Sequence, residues 1–317
     1  MRRIAAAVLA ALGTSAVVAG CGSSAASSAN AVVTAQGSFG KAPTVTIPAE
    51  KASGDLVIST PIKGAGATLK TGDSPLADVV LYKWSGTKHS ELYSTFSTGP
   101  QIIPAQLGLP GLAKALKDAR LGSRVVAVLP PKYAYGTTGE SQLGVNGTDT
   151  LVWVIDLLQQ YSGTQSASGP QVSTGGGTLP SVAAKAGQAP VITVPKTSAP
   201  ANLSVTTLIK GSGPKLTKGE TVVTQYVGAI WRTGSVFASS WPSTQQPNGQ
   251  LFGFQLGGNV IAGFTQGLTG VPVGSRVMLV IPPSLGYGPA GGNANAGIQK
   301  TDTLVFVVDV LGSATAA

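Results

Sequence analysis

Seven aromatic side chains recur through the last third of the chain: Tyr226, Phe237, Phe252, Phe254, Phe264, Tyr287 and Phe306. Gathered at one place they would form a dry cage that holds an uncharged, apolar group and excludes water. Titratable groups around them are scarce. From residue 189 onward the acids are Glu220, Asp302 and Asp309 alone. The 317 residues include one His, His89, and one Cys, Cys21. An intramolecular disulfide, a cysteine metal cluster and a relay of several histidines are therefore excluded. Lys210-Gly211-Ser212-Gly213 lacks the further glycines and the following helix of a phosphate loop, and reads as a turn. His89, within Lys88-His89-Ser90-Glu91, reads as a solvated loop residue, and Asp302, ahead of an apolar run, as a solvated or turn-capping one. What remains is binding chemistry in an apolar site, with no cofactor and no metal.

Such a site needs a core to carry it. Hydrophobic residues make up 43% of the chain, enough for a core, while charged residues are 10%, against roughly 25% in an average soluble domain. The 43 glycines and 21 prolines signal many turns. The net charge is +9, but Lys and Arg are scattered singly, which argues against nucleic-acid binding and for attraction to an anionic cell surface.

Met1-Arg2-Arg3 followed by an apolar stretch from Ile4 to about Val18 has the form of an export signal, too short for a comfortable membrane span. The stretch ends Val18-Ala19-Gly20-Cys21. It resembles a bacterial lipoprotein signal, in which small residues precede a cysteine that is acylated and becomes the new N-terminus. The resemblance implies a signal peptide over 1–20, lipidation at Cys21, a flexible Gly/Ser/Ala tether over 21–41 and an extracytoplasmic location, anchored to the cell membrane through the lipid.

The rest of the chain is written twice. Ala42-Pro43-Thr44-Val45-Thr46-Ile47-Pro48 returns as Ala189-Pro190-Val191-Ile192-Thr193-Val194-Pro195, and Ile62-Lys63-Gly64 as Ile209-Lys210-Gly211. Gly122-Ser123-Arg124 returns as Gly274-Ser275-Arg276, Tyr135-Gly136 as Tyr287-Gly288, and Asp149-Thr150-Leu151-Val152-Trp153 as Asp302-Thr303-Leu304-Val305-Phe306. The offset drifts only from 147 to 153, so one domain is duplicated, over 42–161 and 189–317. The Ser-, Gly- and Thr-rich segment 162–188 reads as a linker. Within each copy, short runs rich in Val, Ile, Thr and aromatics, stopped by Gly and Pro, predict strands, with one short helix near 112–117 and 264–268. The fold class is α+β: an antiparallel sheet packed on a helix, twice.

In the second copy the order becomes specific. Tyr226-Val227-Gly228 is followed by Val236-Phe237-Ala238-Ser239-Ser240, Phe252-Gly253-Phe254, Val260-Ile261-Ala262-Gly263-Phe264, Pro282-Pro283-Ser284-Leu285-Gly286-Tyr287-Gly288 and Thr303-Leu304-Val305-Phe306. This set resembles the FKBP family of peptidyl-prolyl cis-trans isomerases over roughly 205–311. The resemblance implies a sheet of five or six strands wrapped around one short helix. It also implies a shallow apolar pocket for proline, lined by Tyr226, Phe237, Phe252, Phe254, Val260, Ile261, Phe264, Tyr287, Ile298 and Phe306. Two residues depart from the family pattern. Ala238 stands where an Asp usually follows the Phe, and Phe264 stands where the floor is often Trp.

The first copy keeps Tyr135 and Trp153 but places Leu112 at Phe264, Leu92 at Phe237 and Val79 at Tyr226. Aligning Leu-Gly pairs sets Ile103 and Ala105 against Phe252 and Phe254. Its cage should be lost and its fold kept. The leading reading is a surface-anchored prolyl isomerase acting on proline-containing exported polypeptides, with rapamycin-like macrolides as further ligands of the same pocket. The second is a non-catalytic lipoprotein of the same fold that binds peptides or a partner. A protease-coupled assay on a proline peptide separates them.

Overall fold

The computed structural model describes residues 32–104, 107–244 and 249–316. The expected signal peptide, Cys21 and the expected tether up to residue 31 lie outside the described residues, as does Ala105. The first copy runs β1 (Thr34–Gln36), β2 (Thr44–Thr46), β3 (Val57–Ile62), β4 (Ser74–Ser85), β5 (Lys88–Ser94), β6 (Gln101–Ile102), helix α1 (Pro110–Leu116), β7 (Arg124–Leu129) and β8 (Thr150–Tyr161). The second runs β9 (Ser181–Ala183), β10 (Val191–Thr193), β11 (Ser204–Ile209), β12 (Thr221–Ile230), β13 (Val236–Ser239), β14 (Phe252–Gln255), α2 (Ala262–Leu268), β15 (Arg276–Ile281), the short pair β16 (Gly292–Asn293) and β17 (Ile298–Gln299), and β18 (Leu304–Ala314).

Each copy is one six-stranded antiparallel sheet. The order is β3-β7-β8-β4-β5 in the first, with β6 on β4, and β11-β15-β18-β12-β13 in the second, with β14 on β12. The α+β expectation holds, and His89 lies on strand β5 rather than in a loop. The central strands are apolar at nearly every position, because both faces of the sheet are covered. One face packs on the helix: Leu112 and Leu116 meet Val125, Ala127 and Leu129, while Phe264 and Leu268 meet Val277, Leu279 and Ile281.

The other face is covered by a small hairpin that the composition hides. Val33, Ala35 and Ile47 pack on Val126, Val128, Val152 and Val154, and Val182, with Ile192, packs on Met278, Val280, Val305 and Val307. β1–β2 and β9–β10 are the same element 147 positions apart. The Nε1 of Trp84 donates to the Glu50 carbonyl (2.9 Å) and that of Trp231 to the Thr197 carbonyl (3.0 Å), again 147 apart.

Residues 33–41 are therefore part of the first copy rather than of a tether, and much of 162–188 is built into the second copy rather than left as an exposed linker. The physical reason is backbone bonding, which small polar residues supply as well as any. The Arg124 guanidinium donates to the carbonyls of Gly37, Ser38 and Lys41 while pairing with Asp156 at 2.6 Å. Asp309, paired with Arg276 at 2.5 Å, accepts from the Ala167 N–H at 2.9 Å. Both ion pairs are buried, so removing one partner would strand a charge, at a cost of about 3–5 kcal/mol. The repeated Ile-Lys-Gly turns are explained likewise: Gly64 N–H donates to Ser123 Oγ and Gly211 N–H to Ser275 Oγ.

Candidate functional site

Six of the seven aromatic residues are carried by four strands and α2, and Tyr287 stands in the turn that follows Leu285. On β12, Tyr226 points to the helix side. β13 brings Phe237, β14 brings Phe252 and Phe254, α2 brings Phe264, and β18 brings Phe306. Their rings touch in sequence. Phe306 meets Phe264 edge-on at 4.8 Å between centroids and Phe237 edge-on at 5.5 Å. Tyr226 lies 5.5 Å from Phe252 and 6.1 Å from Phe306. Edge-to-face contacts of this kind add about 0.5–1.5 kcal/mol each beyond their buried area, so the cage is held rigid by its own walls.

These rings line an open-mouthed cavity of about 420 Å³. It is lined by Tyr226, Phe237, Phe252, Val260, Ile261, Phe264, Tyr287 and Phe306 from the expected set, together with Ala238, Asn259, Gly286, Pro289 and Ala290. Two expected residues stand behind the wall. Phe254 stacks on Phe252 at 4.9 Å and backs Phe264, and Ile298 is 3% exposed within the core. Of the five additional residues, Ala238 lies on β13 beside Phe237, while Asn259, Gly286, Pro289 and Ala290 come from connecting segments that only the folded sheet brings to the rim. Among the described residues no charged side chain lines the cavity. Burial, with Tyr287 nearby, pushes the Tyr226 hydroxyl above its ordinary pKa, so it stays a neutral donor at any physiological pH. Asp302 is not at the cavity. It caps the turn at Gln299 and pairs with Arg232, whose guanidinium holds its carboxyl below the usual range.

Gly228 makes the cage possible. A Cβ there would stand 2.8 Å from Phe237 Cζ and 2.8 Å from Phe306 Cε1. In the first copy the same register position is Leu81. It pairs with Trp153 and Tyr93, as Gly228 pairs with Phe306 and Ala238. Leu81 is 0% exposed, and Trp153 sits edge-on to Tyr93 at 6.4 Å, its indole N–H without a hydrogen-bond partner among the described residues. The pocket is thus filled from within.

Val79 does occupy the register of Tyr226. The expected alignment of Ile103 and Ala105 is shifted, however. β6 pairs Leu76 with Ile102 and β14 pairs Val223 with Gly253, so Gln101 corresponds to Phe252 and Ile103 to Phe254. Strand pairing, not the Leu-Gly dipeptide, sets that register. The Gln101 amide donates to the Tyr93 hydroxyl at 3.3 Å, a polar contact where the second copy has an aromatic wall. A wider hollow of about 660 Å³ lies elsewhere in the first copy, between α1 and the turn at 69–73.

The family described as FKBP-type peptidyl-prolyl cis-trans isomerase matches residues 213–311. An FK506-binding protein of Streptomyces anulatus is 38% identical over 123 residues, 38% of this chain and 94% of that protein. A probable FK506-binding protein of Corynebacterium glutamicum is 38% identical over 125 residues, 39% of this chain and 98% of that protein. Among solved structures, FkpA from Escherichia coli is 35% identical, with a TM-score of 0.31, covering 36% of this chain and 49% of that one.

Proposed function

This chain belongs to the FKBP-type peptidyl-prolyl cis-trans isomerase family, and from that premise we propose that its isomerase site is the aromatic cavity of the second copy, with no contribution of catalytic groups from the first. The observation that carries the proposal is the cavity itself: about 420 Å³, walled by touching aromatic rings and, among the described residues, free of charged side chains.

The reaction needs no more than that. Rotation about an X–Pro bond is opposed by amide resonance, with a barrier of about 18–20 kcal/mol. Twisting the bond breaks the resonance and lowers the charge on the carbonyl oxygen. A dry aromatic cavity therefore favours the twisted form over the planar one, relative to water, and the barrier falls by the difference. Phe306 and Phe264 would form the floor under the proline ring. The Tyr287 hydroxyl and the Ile261 N–H, ahead of the first hydrogen-bonded turn of α2, would orient the two ends of the imide. Ala238 supplies no carboxylate, so macrolides of the rapamycin type would bind without that polar contact.

Full-length protein should accelerate isomerisation of a proline tetrapeptide in a protease-coupled assay. Tyr287→Phe should lower kcat/KM by about twofold to tenfold, the worth of one hydrogen bond, with the melting temperature unchanged. An inactive full-length protein would refute the site.

We further propose that Cys21 is acylated and holds the protein on the outer face of the cell membrane, where proline-containing exported polypeptides would be its clients. The small residues before Cys21 and the apolar stretch from Ile4 support this reading. Among the described residues no helix is long and apolar enough to cross a membrane. Cys21→Ser should move the protein from the membrane to the soluble fraction; a correctly cleaved variant still retained would contradict the anchor.

A further inference from the structure

β14 is a short wall of the cavity and one that the first copy touches. It is four residues long and pairs with β12 along one edge. Alternation sends Phe252 and Phe254 to the cavity and core, and Gly253 and Gln255 to the opposite side. On that side lies the first copy. A Cβ at Gly253 would come 3.1 Å from Ile102 Cγ1, so the two copies approach closely where the side chain is missing. The Gln255 amide donates to the Thr98 carbonyl at 3.2 Å.

The contact is built from equivalent faces. Leu76 and Tyr161 of the first copy share one buried cluster with Val223, Leu251 and Leu311 of the second. Leu76–Ile102 and Val223–Gly253 are matching cross-strand pairs. The Tyr161 hydroxyl donates to Gln159 and fills the space where a side chain at Gly312 would be, while the Gln159 amide donates to the Ser313 carbonyl.

From this we propose that Ile102 is a positioning residue for the isomerase site: pressed on Gly253, it fixes β14 and with it the ring of Phe252. The inference rests on the assignment of the site to the second copy. It gives the first copy a task, since a short strand with one paired edge would otherwise fray, and Phe252 is the residue through which fraying reaches the cavity.

The test uses the full chain. Ile102→Ala should raise KM and lower kcat/KM by about tenfold, as small misplacements of a binding wall do, while Ile102→Val should restore most of the activity. Joined to Phe252→Ala, Ile102→Ala should add no further loss, because both act through one ring. Hydrogen exchange at the amides of 252–255 should quicken in Ile102→Ala, with exchange in β15 and β18 unchanged. Unchanged exchange at β14, or kcat/KM equal to wild type in an active protein, would overturn the positioning role. A full additional loss in the double variant would overturn it too. An inactive wild-type protein would instead refute the site, and the exchange measurement would still decide the role of Ile102.

Discussion

Asp78 is 1% exposed on β4, directly opposite Asp156 in the sheet. Burial raises its pKa to about 6; the Thr95 hydroxyl, donating to it at 3.2 Å, opposes the rise, and the Asp156 charge adds to it. The second copy has Gln225 at this register, a neutral group bonded to Ser240 and to the Gly163 carbonyl. Because the folded state keeps its proton to a higher pH than the unfolded chain, this group contributes most below about pH 4, and the contribution is lost as pH rises through about 6. Asp78→Asn should therefore be more stable than wild type at pH 7.5 and lose that advantage at pH 4.5, in thermal melts across the range. Parallel melting curves would show that Asp78 is not the group responsible. Nothing in the sequence marks this residue, since its neighbour Asp156 lies 78 positions away. The cage residues were legible because bulky aromatics in a fixed order carry their own signal, whereas Pro289 and Ala290 carry none.

At the scale of elements, one strand position, Gly228 on β12 against Leu81 on β4, contributes to the difference between an open pocket and a filled one. Gly228→Leu would give β12 the residue β4 has, and would drive Phe237 and Phe306 off their positions. Overpacking of this kind costs about 1–3 kcal/mol, so the variant should fold with a lowered melting temperature and lose peptide binding. Binding at wild-type affinity, by titration with a proline peptide, would show that the glycine is dispensable. The duplicated strands and both helices could be read from repeat and apolar patterning, with ends displaced by a residue or two. β1–β2 and β9–β10 could not. Each strand has three residues drawn from Ser, Thr, Ala, Val, Ile and Gln, and only the fold reveals that Ala35 and Val182 point at a sheet.

At the largest scale, the unit spanning 32–317 is a pair of like domains joined through like faces. The duplication was plain in the sequence; the joint was not, because Leu76, Tyr161, Val223 and Leu311 are ordinary strand residues until both sheets exist. The first copy keeps the shared face while its pocket is filled, and the proposed site lies in the second. Phe237 and Leu92 occupy matching places in the two copies, each half-buried, so truncating either leaves the core intact. The decisive measurement is kcat/KM of the full-length protein carrying Phe237→Ala or Leu92→Ala. Phe237→Ala should lose about tenfold or more, a barrier change near 1.4 kcal/mol, and Leu92→Ala should match wild type. Loss of activity in Leu92→Ala, with Phe237→Ala unaffected, would place the site in the wrong copy and contradict the account.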